Sequence, residues 1–223
     1  MMWTYDFTYS DYLMHYGVKG MHWGVRKAVE KAYNNSGLKL HSKTLKKGYN
    51  FQNITKNGQA RRLSNSNALY VSHTPTDNKT YRNMWWWFGD QPVKNTITAT
   101  KDVKIAGKSV SQKEFVKLCS EKGKSIASEM GDTKYDFTSQ KTLAAKIKGA
   151  NWVKNEGYKN FVRQYTEGMG SSQKEFNNRL SKKGYDAIYD VYDISEGYSN
   201  EPLIFFKPTD SVKVTKSERY KYD

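Results

Sequence analysis

The order of candidate elements along the chain predicts an α+β fold, with strands first, a run of helices in the middle and strands again at the end. Three observations carry this. Residues 67–73, 93–99 and 102–106 carry runs of strand-type residues. Helix-start and helix-stop signals then follow from Ser111 to Gly184. Beyond Gly184 the β-branched and aromatic runs return. The expected architecture is small mixed or antiparallel sheets around a central helical segment.

Residues 1–25 are rich in Met, Tyr and Trp, and Gly17, Gly20 and Gly24 interrupt any long periodic element. Residues 26–34 read as a short amphipathic helix, and a polar, basic linker runs on through Lys46, Lys47 and Gly48. The compact domain is expected from residue 48 to 223, after an N-terminal part of 1–47. Residues 49–55 form a strand closed by the turn at Lys56, Asn57 and Gly58, and residues 67–73 form a second. Thr76 or Asp77 caps a helix through Tyr81 to Phe88. Its Tyr81, Met84, Trp85 and Phe88 share one face, and the spacing suits a core stripe as well as a ligand site. Residues 93–99 and 102–106 are two further strands. Ser111 with Glu114 has the capping-box pattern, opening a helix to about Met130. Helices are expected near 138–148 and 150–166, and another from Ser171 to the stop at Gly184. Strands at 185–192, 203–206 and 211–215 complete the set. No internal repeat is present.

The chain has 223 residues, enough for one domain with a real core. Its formal net charge is +15 and its mean hydropathy −0.88, so the surface is polar and basic. Such a balance favours an anionic partner, against the plainer reading of solubilising lysines. Lys outnumbers Arg, which suits point contacts to phosphates better than bidentate base readout. Aromatic residues make up 14% of the chain, too many for a disordered polypeptide. Cys119 is the single cysteine, so no internal disulfide forms. That fits a reducing compartment such as a bacterial cytoplasm. Cys119 falls in a helical apolar pattern as a small core residue. No apolar run approaches the roughly 18 residues of a membrane helix, and the first residues lack the pattern of a secretory signal. No membrane partner is expected.

The stretch His15, Tyr16, Gly17, Val18, Lys19, Gly20, Met21, His22, Trp23, Gly24 closely resembles a short motif of phage head-associated proteins, including minor head proteins and portals. There it reads His-x-Gly-Val-Lys-Gly-Met-Lys-Trp-Gly, and His22 stands in place of the second Lys. The resemblance implies a docking or packaging tag, with His15, Gly17, Lys19, Gly20, Met21, Trp23 and Gly24 as its residues and a phage head protein as its partner. As a glycine-hinged aromatic peptide it suits an extended groove, with Met21 and Trp23 as anchors. His15 and His22 lack companions for a metal set, so no metal is expected.

A second resemblance spans about residues 44–216. It rests on Ala68 to Ser72 with Asp77 and Tyr81, and on Lys183 to Asp193 followed by Glu201 to Pro208. These look like an uncharacterised domain of phage and integrative-element proteins, similar in layout to the ADP-ribosyltransferase fold. The resemblance implies NAD as cofactor. It makes Glu201 the catalytic carboxylate that steadies an oxocarbenium-like transition state. It places Ser72, Thr74, Tyr81 and Asn53 in the cofactor pocket. Asn53 stands where a cationic or imidazole group is usual, Glu201 sits about two residues early, and no Glu-x-Glu pair is present. Arg61 and Arg62 lie nearby in a turn. Asp186, Asp190 and Asp193 invite a metal reading, but a turn or buried hydrogen-bonding role fits better, with Asp190 taking a backbone donor at a strand end.

Three functions follow. One is a basic protein of the virion, held at the head by its tag and neutralising DNA without base readout. Another is an NAD-using transferase delivered to modify a host protein or nucleic acid. The last is a non-catalytic inhibitor of a host defence protein on a transferase-like scaffold. All place the chain in the virion, the host bacterial cytoplasm, or both. Phosphate-loop, zinc-protease and serine-hydrolase signatures are absent.

Overall fold

A computed structural model describes residues 40–56, 58–72, 91–129, 151, 153–164, 170–196 and 201–219. The fold is α+β, and its strands form one eight-stranded mixed sheet rather than several small ones. The strands are β1 (Lys43–Leu45), β2 (Asn50–Thr55), β3 (Leu69–Ser72), β4 (Val93–Ala99), β5 (Val103–Ala106), β6 (Ala187–Tyr189), β7 (Pro202–Phe205) and β8 (Val212–Arg219). Their order across the sheet is β1-β5-β6-β7-β3-β2-β4-β8. Every pairing is antiparallel except β5 with β6.

That single parallel pair explains the central helices. Two parallel strands cannot be joined by a tight hairpin and need a crossover. The chain between β5 and β6 supplies it with α1 (Lys108–Glu129), a π-helical turn (Val153–Gly157) running into α2 (Tyr158–Arg163), and α3 (Ser171–Lys182). The short α4 (Val191–Glu196) follows β6. Burial along each strand shows how the layers lie. All residues of β6 and β7 are buried, so the sheet centre is covered on both faces. β4 alternates buried and half-buried, so one of its faces meets solvent. Between the helices Phe115, Phe161 and Phe176 stack, with ring centroids 4.8 and 5.2 Å apart along the series. Phe51 of β2 meets Phe205 of β7 edge-on at 5.2 Å.

Several sequence expectations hold. The strands at 49–55, 67–73, 93–99 and 102–106 are β2 to β5 with slightly shorter bounds. α3 begins at Ser171, and Gly184 has φ 83°. There the Tyr185 N–H donates to the Leu180 carbonyl (3.1 Å) and the Gly184 N–H to that of Ser181 (2.9 Å), closing a Schellman motif. Cys119 is buried in the core, and burial pushes its thiol up to about 12.

Other expectations are corrected. The basic linker ending at Gly48 contains β1, and Leu40 is buried in the core. Lysine-rich composition hid a strand whose pairing with β5 is non-local. Ser111 is not a cap, since α1 starts three residues earlier. Its hydroxyl donates to the Gly107 carbonyl (3.0 Å) and accepts from the Tyr158 phenol (2.7 Å). Glu114 pairs instead with Arg179 and Lys183. The strand expected over 185–192 stops at Tyr189, because Asp190 turns the chain into α4. The last strand runs on to Arg219. The helices expected at 76–88 and 138–148 lie outside the described residues.

Gly107 joins β5 to α1 under the segment 40–42. A Cβ there would lie 2.4 Å from the Ser42 nitrogen and 2.6 Å from the Leu40 oxygen. The contact is close because the Lys108 N–H donates to the Leu40 carbonyl (2.8 Å) and the Gly107 N–H to the Ser42 hydroxyl (2.9 Å). Backbone cannot yield as a side-chain tip would, so Gly107→Ala should destabilise the protein by about 1–3 kcal/mol. Urea unfolding checks this, and an unchanged midpoint would mean that the segment 40–42 does not rest on Gly107.

Candidate functional site

Asn53, Ser72 and Glu201 lie along one line across three neighbouring strands. Gln52, next to Asn53, pairs with Ser72, and Ser72 pairs with Pro202, next to Glu201. The register thus gathers these backbone positions at one end of the sheet. Alternation separates the side chains: Ser72 shares a face with Gln52 and Pro202, while Asn53 and Glu201 point to the other.

Glu201 is engaged by a lysine. Its Oε2 lies 2.7 Å from Lys43 Nζ, with the two side chains 38% and 31% exposed. The same ammonium sits 5.5 Å from the ring centroid of Tyr189. The Tyr189 phenol donates to the His41 carbonyl at 3.2 Å. Burial, and then the Glu201 charge, push this phenol up to about 12. The corner therefore fastens β1 over the end of β6. A carboxylate aimed at a developing cation acts through uncommitted charge, and the Glu201 charge is met by Lys43.

At Asn53 the ladder opens, for Gln52 with Ser72 is the one registered pair between β2 and β3. The Asn53 amide donates instead to the Tyr70 carbonyl at 2.8 Å, and its buried Oδ1 finds no donor among the described residues. Sequence reasoning placed Arg61 nearby but missed Asn95. Asn95 is fully buried; its Oδ1 accepts from the Arg61 N–H (3.0 Å) and the Ser217 hydroxyl (2.7 Å). The Arg61 guanidinium donates to the Ala68 carbonyl at 3.4 Å, and burial lowers its pKa. A polar residue at a buried position of an alternating strand was the available signal for Asn95.

Asp190 is buried beside β7. Its Oδ1 accepts from the N–H groups of Tyr192 and Asp193, both at 3.1 Å, as an N-cap of α4. Burial, and then the Asp193 charge, raise its carboxyl well above the ordinary range. Among the described residues no three His, Cys, Asp or Glu groups converge as metal ligands. Thr74, Tyr81 and the candidate docking residues His15, Gly17, Lys19, Gly20, Met21, Trp23 and Gly24 lie outside the described residues.

Many of the described acidic side chains are held in ion pairs. Asp102 pairs with Lys46, Asp186 with Lys101, and Glu218 with Lys216 and Lys94. Arg179 of α3 grips Glu121 and Glu175 at 2.5 Å each, and Lys122 also meets Glu175. Lys104, Lys174, Lys207 and Lys213 stay exposed and form no ion pair among the described residues. No helix among the described residues is long and apolar enough to cross a membrane.

A family model described as a family of unknown function (DUF7211) matches residues 6–30, the segment that holds the candidate docking motif. No curated protein and no solved structure matches the chain.

Asp190 offers a clean test of the α4 cap. Its folded pKa lies above its unfolded value, so its contribution to stability is complete below the unfolded pKa. It is lost as pH rises through the folded pKa. Asp190→Asn keeps an acceptor oxygen without the charge. It should be more stable than wild type at pH 8, with the gap closing toward acid, in thermal melts across pH. A gap that widens toward acid would reverse the assignment.

Proposed function

We propose that this protein is a basic bacteriophage head-associated protein that holds DNA by its phosphates, with the N-terminal motif docking it to the head. The observation that carries the reading is the disposition of charge. Seven described carboxylates, Glu201, Asp102, Asp186, Glu114, Glu121, Glu175 and Glu218, are held in ion pairs, while lysines of several elements stand exposed without one, in a chain of net charge +15. Lysines placed this way act on the phosphate backbone as point charges and carry no sequence information. The resemblance of residues 15–24 to head-protein motifs supplies the location, in the virion.

Such binding releases counterions, so affinity for duplex DNA should fall linearly on logarithmic axes as salt rises. With roughly six phosphate contacts, the loss between about 50 and 200 mM salt is about 10³-fold. Fluorescence anisotropy on unrelated duplexes reads both slope and sequence dependence. A salt-insensitive affinity, or strong preference for one sequence, would defeat the reading.

The second reading is an NAD-dependent ADP-ribosyltransferase effector on a transferase-like fold. It is favoured by the register that sets the backbone positions of Asn53, Ser72 and Glu201 at one end of the sheet, although Ser72 faces away from the other two. The Lys43–Glu201 pair weighs against an active carboxylate and suits a non-catalytic inhibitor of a host defence protein on the same scaffold. Nicotinamide release from NAD decides between catalysis and its absence. Under the first reading neither wild type nor Glu201→Ala releases nicotinamide, with or without host lysate. Release that disappears in Glu201→Ala would establish the transferase.

A further inference from the structure

We infer that the solvent-facing side of β2, β4 and β8 is the surface that takes the DNA backbone, an assignment that rests on the DNA-binding reading above. No residue on this face of β4 is buried: Lys94, Thr96 and Thr98 are half-buried and alternate with the core residues Val93, Asn95, Ile97 and Ala99. Across β8 the register sets Lys213 beside Thr98, Lys216 beside Thr96 and Glu218 beside Lys94.

The bulge in β8 builds this face. The register shifts between Thr96 and Ile97, so Ile97 meets Val214 and Thr96 meets Lys216, with Thr215 left over. In an unbroken ladder Lys216 would stand opposite Asn95, on the core side. The extra residue turns Lys216 out to solvent and brings Ser217 onto Asn95, which its hydroxyl reaches at 2.7 Å. Bulges re-aim side chains in this way. Thr215, freed from pairing, bonds the Thr98 hydroxyl at 2.7 Å and keeps to the same face.

The face thus carries three lysines against one carboxylate, among hydroxyls suited to phosphate oxygens. Lys213 and Lys216 stand beside Thr98 and Thr96, so the bulge brings them to about 7 Å apart along the strand direction. Glu218 partly quenches the patch, pairing with Lys216 at 2.5 Å and Lys94 at 3.9 Å. Charge complementarity therefore commits the face to a phosphodiester backbone, and the short polar side chains of Asn50, Thr96, Thr98 and Thr215, beside the single apolar Ile54, suit its sequence-independent contact.

The experiment uses the full chain and a fluorescent random-sequence duplex over a salt series. K213E/K216E is compared with K113E/K117E, an equal reversal of charge on exposed lysines of α1. Each phosphate-contacting lysine contributes about one unit of salt slope. The β8 pair should therefore lose about two units and at least about tenfold in affinity, while the α1 pair loses far less. E218Q, which releases Lys216 and Lys94, should bind several-fold tighter. Equal losses from the two pairs, or an E218Q protein that binds no tighter than wild type, would overturn the face while leaving DNA binding intact. A wild type that ignores duplex DNA at low salt but binds an acidic protein surface would overturn the DNA-binding reading itself.

Discussion

The parallel pairing of β5 with β6 is the constraint from which the architecture follows. Adjacent parallel strands oblige the chain to leave the sheet and return. The returning segment must cover a face of the strands that it joins. α1, α2 and α3 meet that demand with Phe115, Phe161 and Phe176, and β6 and β7 become the fully buried centre. The ion-pair cluster of α3 follows from the same geometry. Once α1 and α3 lie side by side, Arg179 stands within reach of Glu114, Glu121 and Glu175. Glu114 is nearly enclosed there, so losing a basic partner would strand its charge away from water.

The other half of the sheet is built differently. β2, β4 and β8 are linked by antiparallel pairing, and they join the centre where Gln52 meets Ser72. Their inner side is held by a polar knot around Asn95 as well as by Phe51, Ile97 and Val212. Hydrogen bonds to a buried amide need exact placement, which apolar packing does not. The bulge in β8 answers that requirement, and its consequence on the opposite face is the outward turn of Lys216. A device for satisfying the core thereby shapes the surface.

The two candidate chemistries occupy different parts of this frame. The Glu201 corner is a closed arrangement in which Lys43, Tyr189 and the His41 carbonyl are matched to one another. The open sheet face instead offers accessible charge, three lysines against the single carboxylate of Glu218. Binding a polyanion needs only the latter, because long-range attraction asks for accessible charge rather than a shaped pocket.

The sequence by itself determined the α+β class, the four strands from β2 to β5, the start and stop of α3, and the buried role of Cys119. Local signals sufficed for these: runs of strand-type residues bounded by turn residues, a glycine needed at positive φ, and an apolar helical stripe. It also made Asp190 a backbone acceptor at a strand end, because an aspartate in an otherwise apolar run has few other uses. Tertiary structure decided the rest. β1 is made of lysine, threonine and leucine, and becomes a strand because β5 is there to pair with it. Ser111 and Glu114 match a capping pattern, yet Gly107 starts the helix earlier because the segment 40–42 packs on it. The partner of Glu201 and the outward turn of Lys216 depend on register between strands far apart in the chain. Such register is set by what each face must bury, and no local pattern encodes it.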